Sequence, residues 1–260
     1  MSTESLTTSL GSVDGQRSHA GIRNLLLDGL TLSSGAVDAI SFLGLGKVFT
    51  AFMTGNIAFL GMRVAGSAVA PRIGLLLASM GGYAAGIYLA TRIVRRSQPT
   101  TLVWPQATTV ALSVSLLAHF GFALIWFATG GRPDDTITPV LLGVWALAMG
   151  MQSAAVRKLN VGGVFTTAAT ATFIFIVGDW ANRNSLTSDE HRRLRGVIVS
   201  LFIGATVGGW LLIHTPAYAP AFPFAVTALV VATAARTFRH GDQAGTEGAA
   251  SEGRSDARAA

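Results

Sequence analysis

The chain contains no cysteine and few charged residues. Only 12% of its 260 residues are charged, against about a quarter in a typical soluble domain. The absence of cysteine excludes disulfides, thiol catalysis and cysteine metal sites. The shortage of charge comes with 50% hydrophobic residues and a mean hydropathy of +0.51. This composition excludes both a soluble globular protein and a disordered one.

Catalytic signatures are missing as well. The sequence has no H-E-x-x-H, G-x-S-x-G or P-loop pattern, and its His, Asp and Ser residues are scattered. We therefore expect no enzyme activity, no cofactor and no metal site. The net charge of +6 does not indicate nucleic-acid binding, because the arginines stand at the ends of apolar segments, where they set membrane orientation.

Eight apolar segments fill the middle of the chain. They run roughly over 25–46, 48–62, 73–94, 107–128, 138–156, 161–180, 196–214 and 217–235. Because only helices and closed barrels satisfy the backbone in lipid, these runs predict an all-α polytopic membrane protein. We expect a membrane domain over 22–237, between a disordered N-terminal segment at 1–21 and a disordered polar tail at 238–260.

The two halves of this domain resemble each other. The run Val-Phe-Thr at 48–50 recurs at 164–166. Two small-residue pairs also correspond, Gly82 with Gly86 and Gly204 with Gly208. We predict two diverged repeats, about 22–130 and 136–237, in which these four glycines are helix-packing positions. Chance similarity between helices rich in Gly, Ala and Thr is the alternative.

The charges bear on the number of crossings. If all eight segments crossed, the basic clusters at 92–96 and 192–195 would lie on opposite sides, which the positive-inside rule disfavours. If the second and sixth segments do not cross, about six crossings remain, both termini are cytoplasmic, and the halves are inverted with a short broken helix in each. Eight crossings with parallel halves stays open, because Arg63, Arg72 and Arg132 would then also be inside.

Asp38 lies deep within the first apolar segment. An ionisable group at membrane depth costs about 2.5–3.5 kcal/mol on insertion scales, so it needs a partner or a purpose. Asp38 could bind a cation or carry a proton. The structural alternative is a carboxylate that caps a broken helix or accepts hydrogen bonds from neighbouring hydroxyls.

Thr54, Gly55 and Asn56 interrupt the short second segment. Glycine loosens a helix, and an unwound stretch there would expose groups able to bind an ion or a small polar solute. The alternative is a polar contact between helices. Three residues of the second half are predicted to close the same path: Gln152, Thr166 and Thr170.

The stretch from Gly35 to Asn56 resembles the signature of the YoaK-like bacterial membrane proteins. It reads Gly-Ala-Val-Asp-Ala-Ile-Ser-Phe-Leu-Gly-Leu-Gly and then Val-Phe-Thr-Ala-Phe-Met-Thr-Gly-Asn. Residues 150–155 resemble the family's Gly-x-Gln-Asn-Ala pattern, with Ser153 in place of Asn, and Ala-Thr at 171–172 replaces an expected Thr-Gly pair. The resemblance implies about six transmembrane segments and no particular activity.

The leading functional hypothesis is a small transporter or permease of the bacterial inner membrane. Its midplane site would be formed by Asp38 and the Thr54-Gly55-Asn56 break, and its solute would be an ion or a small polar molecule. The alternative is a non-transporting scaffold or sensor whose intramembrane polar residues are structural. The expected partners are the lipid bilayer, a small solute or a cation or proton, and a second copy of the chain.

Overall fold

The computed structural model describes residues 3–95, 103–159, 169–181 and 187–238. This described part of the chain contains no strand, which confirms the all-α prediction. Its helices are α1 Thr3–Gly44, α2 Met53–Val64, α3 Ile73–Arg95, α4 Gln106–Ala128, α5 Thr138–Arg157, α6 Ala169–Ala181, α7 Ser188–His214 and α8 Ala221–Thr237. A single 3-10 turn, Pro216–Tyr218, connects α7 to α8.

Six helices in the described ranges are long and apolar enough to cross a bilayer. They are the 19–44 part of α1, then α3, α4, α5, α7 and the stretch 216–237 that contains α8. Helices α2 and α6 have 12 and 13 residues. At 1.5 Å per residue each reaches only about 20 Å, short of the roughly 30 Å hydrocarbon core. The prediction of six crossings from eight apolar segments is therefore confirmed.

The start of α1 differs from the sequence prediction. Helix α1 begins at Thr3, so residues 3–21, which we expected to be disordered, are helical. Once a helix has nucleated in the membrane span, each further residue adds a hydrogen bond at little cost, and no proline interrupts this stretch. The expected tail lies outside the described residues from 239 onward.

The outer surface of the bundle is apolar. Large hydrophobic side chains such as Leu117 on α4 and Phe202 and Trp210 on α7 are exposed. A water-soluble protein rarely exposes this much contiguous apolar surface. These side chains therefore contact the lipid bilayer.

Contacts with α8 establish the direction of α1. Gly29, in the first half of the α1 span, lies against Val230 near the end of α8. One turn later, Ser33 exchanges a hydrogen bond with Thr227, at 2.9 Å between the two hydroxyl oxygens. As the α1 numbers rise the α8 numbers fall, so the two helices are antiparallel.

Helix α4 is antiparallel to α8 as well. Just before α4 begins, the Trp104 ring stacks on Phe238, with 5.7 Å between ring centroids. Further along α4, Phe120 contacts Phe224 near the start of α8. Helices α1 and α4 therefore run in the same direction.

Two hydrophobic clusters at opposite ends of the bundle fix the direction of the other spans. The first joins the starts of α4 and α7 to the ends of α3, α5 and α8; it includes Ala90, Val94, Ala111, Ala155, Val197 and Ala234. The second joins the starts of α3 and α5 to the end of α4; it includes Leu75, Leu76, Trp126, Leu141 and Leu142. Helices α1, α4 and α7 thus run one way, and α3, α5 and α8 run the other way.

The end of the bundle that holds the first cluster is called the basic end below. Its arginines stand at the ends of α3 and α5 and at the start of α7: Arg92, Arg95, Arg157, Arg192, Arg193 and Arg195. The end of the bundle that holds the second cluster is called the opposite end.

Glycines bring α3 and α5 into backbone contact. A side chain at Gly82 would overlap the carbonyl of Gly143, and one at Gly86 would overlap that of Leu147. On the facing helix, a side chain at Gly150 would overlap the α3 backbone. Numbers rise together along the two helices, so α3 and α5 are parallel and pack with almost no space between them.

The same kind of contact joins α1 to α7. A side chain at Gly204 would overlap the Leu32 carbonyl, and one at Gly208 would meet the backbone of Ala36. On α1, a side chain at Gly35 would overlap the α7 backbone. Helices α1 and α7 are therefore parallel, and both predicted glycine pairs lie at helix–helix contacts.

These contacts predict a position-specific response to alanine on α3. We expect Gly86→Ala to lower the free energy of unfolding by about 1–3 kcal/mol, because the added methyl group must push α5 away. Gly81→Ala on the same helix is the control, since no heavy atom lies within 4 Å of its added methyl group. It should be neutral or stabilising by up to about 1 kcal/mol. Thermal unfolding in detergent measures both; equal loss in the two variants would contradict the α3–α5 packing.

Candidate functional site

The chain is interrupted between α1 and α2. Gly46 and Lys47 both have positive φ angles, 85° and 63°, and residues 45–52 form no helix. The first of these angles suits glycine, which has no Cβ to clash with the preceding carbonyl. These two residues reverse the chain just after the C-terminal end of α1 and direct it back toward Asp38.

Asp38 binds the returning chain. One carboxylate oxygen, Oδ1, accepts hydrogen bonds from the backbone N–H groups of Thr50 and Ala51, both at 2.8 Å. The Thr50 hydroxyl donates to the same oxygen at 3.4 Å. A carboxylate just before the first turn of a helix satisfies free N–H groups and complements the positive end of the helix dipole. Asp38 therefore caps the segment that leads into α2.

Asn56 holds the same segment from the other side. Its Oδ1 accepts a hydrogen bond from the Phe49 N–H at 3.0 Å, and its Nδ2 donates to the Phe49 carbonyl at 2.7 Å. Ser79 of α3 donates to that carbonyl at 2.6 Å. Asn56 and Ser79 are both fully buried. The amide and hydroxyl thus replace the backbone partners that Phe49 lacks outside a helix. Asp38, Asn56 and Ser79 are called the clasp below.

The clasp shows how deep α2 reaches. At 1.5 Å per residue, Asp38 lies about 9 Å before the last residue of α1, and Ser79 lies about 9 Å after the first residue of α3. The start of α2 is held at this depth, and α2 then returns to the opposite end, where α3 begins. Helix α2 is therefore re-entrant, with its N-terminus pointing into the membrane.

This geometry corrects the predicted position of the break. Thr54, Gly55 and Asn56 are not unwound; they belong to the first turn of α2, which begins at Met53. The interruption lies at 45–52, because the positive φ angles and the Asp38 cap both precede Met53. A side chain at Gly55 would lie 2.7 Å from the Phe52 ring. Thr54 is exposed on the outer face of α2.

The predicted residues of the second half do not join the clasp. Gln152 is buried on α5 and donates from Nε2 to the Leu30 carbonyl of α1 at 3.1 Å, two turns from Asp38. Its Oε1 is buried and has no hydrogen-bond partner in the described structure. Thr170 is exposed near the start of α6. Thr166 lies outside the described residues.

Two further ionisable residues lie outside the predicted site: Asp179, interpreted from sequence as a membrane-boundary residue beside Trp180, and Asp28, which was not singled out. The buried Asp179 carboxylate on α6 contacts Nε2 of His191 on α7, which attaches the second short helix to the bundle. Asp28 lies on α1 ten residues before Asp38, in the same apolar segment, and faces α7. Its position within that segment was the signal available from sequence. Across the ranges that the structure describes, no group of three or more His, Asp or Glu side chains could hold a metal ion.

Within the clasp, one carboxylate oxygen of Asp38 accepts two backbone N–H hydrogen bonds. At Oδ1 the donors occupy the lone pairs that a cation would need, so the described contacts fit the capping alternative directly. A role for Asp38 as an ion or proton site stays a prediction.

The clasp predicts that Asp38→Asn destabilises the protein. The amide retains one oxygen but loses the charge, so we expect a loss of about 1.5–3 kcal/mol in the free energy of unfolding. Asp135→Asn is the control, because Asp135 pairs with Arg72 at an exposed site and such pairs contribute at most about 1 kcal/mol. Thermal unfolding in detergent compares them, and a wild-type melting temperature for Asp38→Asn would rule out the cap.

Comparison with known proteins places the chain among membrane proteins. Residues 26–233 match the family model described as "Protein of unknown function (DUF1275)". The chain is 33% identical over 180 residues to the UPF0700 transmembrane protein YoaK of Bacillus subtilis strain 168, which covers 69% of this chain and 77% of that protein. No solved structure matches the chain.

Proposed function

The chain belongs to the DUF1275 family of YoaK-like membrane proteins, and we propose that it is a small transporter for an ion or small polar solute, built from two inverted halves. The observation that carries the proposal is a pair of equivalent helix interfaces. Transporters of this design bind solute near the midplane, where short or interrupted helices of the two halves meet.

The α1–α7 and α3–α5 interfaces share two corresponding glycine contacts. Gly35 of α1 lies over the backbone of Leu201 on α7, as Gly150 of α5 lies over that of Tyr83 on α3. These contacts pair α1 with α5 and α3 with α7. A second pair of contacts follows the same correspondence: Gly204 over Leu32 and Gly86 over Leu147.

This correspondence shifts the sequence match by one helical turn. Gly204 is equivalent to Gly86 and not to Gly82, so the two Gly-x-x-x-Gly pairs do not align with each other. Paired helices also run in opposite directions, as α1 does to α5. This opposite direction supports inverted repeats over the parallel alternative. The short helices, α2 beside α3 and α6 beside α7, take equivalent places in the two halves.

Several buried polar groups support a path through the bundle. In the described structure, Gln152 Oε1, the Ser34 hydroxyl and His119 Nε2 are buried without hydrogen-bond partners. Polar groups at membrane depth are costly and often mark solute or ion pathways. These three atoms could hydrogen-bond a polar solute or water.

The basic end is assigned to the cytoplasm of a bacterial inner membrane. The positive-inside rule counts Lys and Arg near the span ends, and the basic end carries the arginines of α3, α5 and α7. The opposite end has fewer cations and also carries Asp134 and Asp135. With this orientation α2 enters from outside and α6 from the cytoplasm.

The absence of native cysteine makes this orientation testable with single cysteines. We expect Ala68→Cys, in the exposed loop after α2, to react with a membrane-impermeant maleimide in intact cells. Ser188→Cys, at the start of α7, should react only after permeabilisation. The reverse pattern, or labelling of both in intact cells, would contradict the proposed orientation.

Transport itself is tested in proteoliposomes that contain a pH-sensitive dye. The probes are gradients of protons, sodium and potassium, followed by radiolabelled small carboxylates, amino acids and amines. We expect protein-dependent flux of a probe, reduced about tenfold by Gln152→Leu, which removes roughly 1.4 kcal/mol of polar interaction. Gln106→Leu, at the exposed start of α4, is the matched control.

The scaffold alternative is favoured by one specific observation, the satisfied hydrogen bonds of Asp38 and Asn56. If none of these probes crosses faster than in empty vesicles, while the reconstituted protein keeps its helical content, the transporter proposal fails. The intramembrane polar residues would then serve to hold helices together.

A further inference from the structure

Asp28 is a carboxylate built into a helix contact. It lies on α1 among buried leucines such as Leu27 and Leu30, and it is half-buried. Both carboxylate oxygens lie 2.8 Å from the point where a Cβ at Gly196 of α7 would stand. The side chain therefore occupies space that α7 leaves open only because residue 196 is glycine.

Asp28 has no partner in the described structure. No described side chain or N–H group forms an ion pair or hydrogen bond with it. On the packed helices, Val230 of α8 and Gln152 of α5 contact α1 beside it. Arg23 precedes Asp28 by five residues on α1, and Arg193 precedes Gly196 by three residues on α7. Asp28 thus differs from Asp38, whose carboxylate is satisfied.

Helix packing does not require a carboxylate at this place. Under the correspondence of the two halves, Asp28 and Gly196 are equivalent to Gly143 and Ala78 in the α3–α5 interface. There the glycine packs directly, with 3.6 Å from the position of its Cβ to the Ala78 carbonyl oxygen. The two interfaces share two contacts, in which Gly35 corresponds to Gly150 and Gly204 to Gly86, and they differ at Asp28. Packing alone therefore does not account for a carboxylate at this position.

We propose that Asp28 is the proton-binding carboxylate of this protein, a deepening that rests on the proposed transport function. The carboxylate takes up one proton from water at the basic end and becomes a neutral carboxylic acid, and it returns that proton to water when it ionises again. The neutral acid can stay packed against Gly196, whereas the charged form favours hydration.

A proton fits this position better than a metal cation. Sodium- or calcium-type cations need several oxygen ligands, and no second carboxylate or other described donor converges on Asp28. A proton needs only the one carboxylate oxygen. Because Asp28 is a single carboxylate with no other oxygen ligand beside it among the described residues, we assign a proton and not a metal cation as its ligand.

Infrared difference spectroscopy of the purified protein tests the protonation directly. Between acidic and alkaline buffer we expect a carboxylic-acid C=O band that Asp28→Asn removes. Asp38→Asn and Asp135→Asn should retain it, since Asp38 Oδ1 already accepts two backbone N–H hydrogen bonds and Asp135 pairs with exposed Arg72. A band that persists in Asp28→Asn, or is absent from the wild type, overturns the proposal.

Two milder variants keep the test decisive if Asp28→Asn does not fold. Asp28→Glu should shift the band, because the carboxyl group moves by one methylene. Gly196→Ala should shift it as well, since the added methyl group displaces both oxygens, whereas Gly178→Ala meets open space and should not. A band unchanged in both Asp28→Glu and Gly196→Ala contradicts the proposal.

The flux assay separates this inference from the proposed function. If wild-type vesicles transport a probe, Asp28→Asn should abolish the pH dependence of that flux. Unchanged pH dependence overturns the proton role while transport stands. If no probe moves but the infrared band behaves as expected, the transport proposal fails and Asp28 remains a protonatable group.

Discussion

The interrupted chain between α1 and α2 depends on the hydrogen bonds that Asp38 and Asn56 make to its backbone. In lipid, an unpaired N–H or C=O group costs several kcal/mol, so a chain that leaves the helix at membrane depth needs substitutes for the lost partners. The Asp38 carboxylate supplies them for Thr50 and Ala51, and the Asn56 amide for Phe49. Without these bonds α2 could not begin inside the membrane, and the first half would lose its re-entrant form.

The glycine contacts complement this clasp by holding the long helices together. Helices α3 and α5 touch through backbone atoms, as α1 and α7 do, so each pair forms a rigid unit with little side-chain area between the helices. The short helix of each half lies outside these units, beside α3 or α7. A proton on Asp28 would act at the α1–α7 unit, where Asp28 lies against Gly196.

Much of the fold was predictable, and the positions of the site residues were less so. Hydropathy and segment length predicted six crossings, because they depend only on local composition and the thickness of the bilayer. The break was placed at Thr54-Gly55-Asn56, since glycine and polar residues mark irregular backbone in a sequence. The interruption lies earlier because Asp38, twelve positions before Thr50, caps the chain there; the sequence offered capping as an alternative for Asp38 but did not indicate which N–H groups it would meet. Gln152 was expected near Asp38 but contacts Leu30.

Sequence alone determined that this chain is a helical membrane protein of a recognisable family, that its spans number six, and that Asp38 and the glycines are special positions. These properties follow from local composition and from motifs whose residues are neighbours in the chain. Tertiary structure decided which helices pair, that α2 is re-entrant, that Asp38 is satisfied and that Asp28 is not. Each of these depends on contacts between distant segments, and which of two similar carboxylates finds N–H donors is settled only when the helices pack.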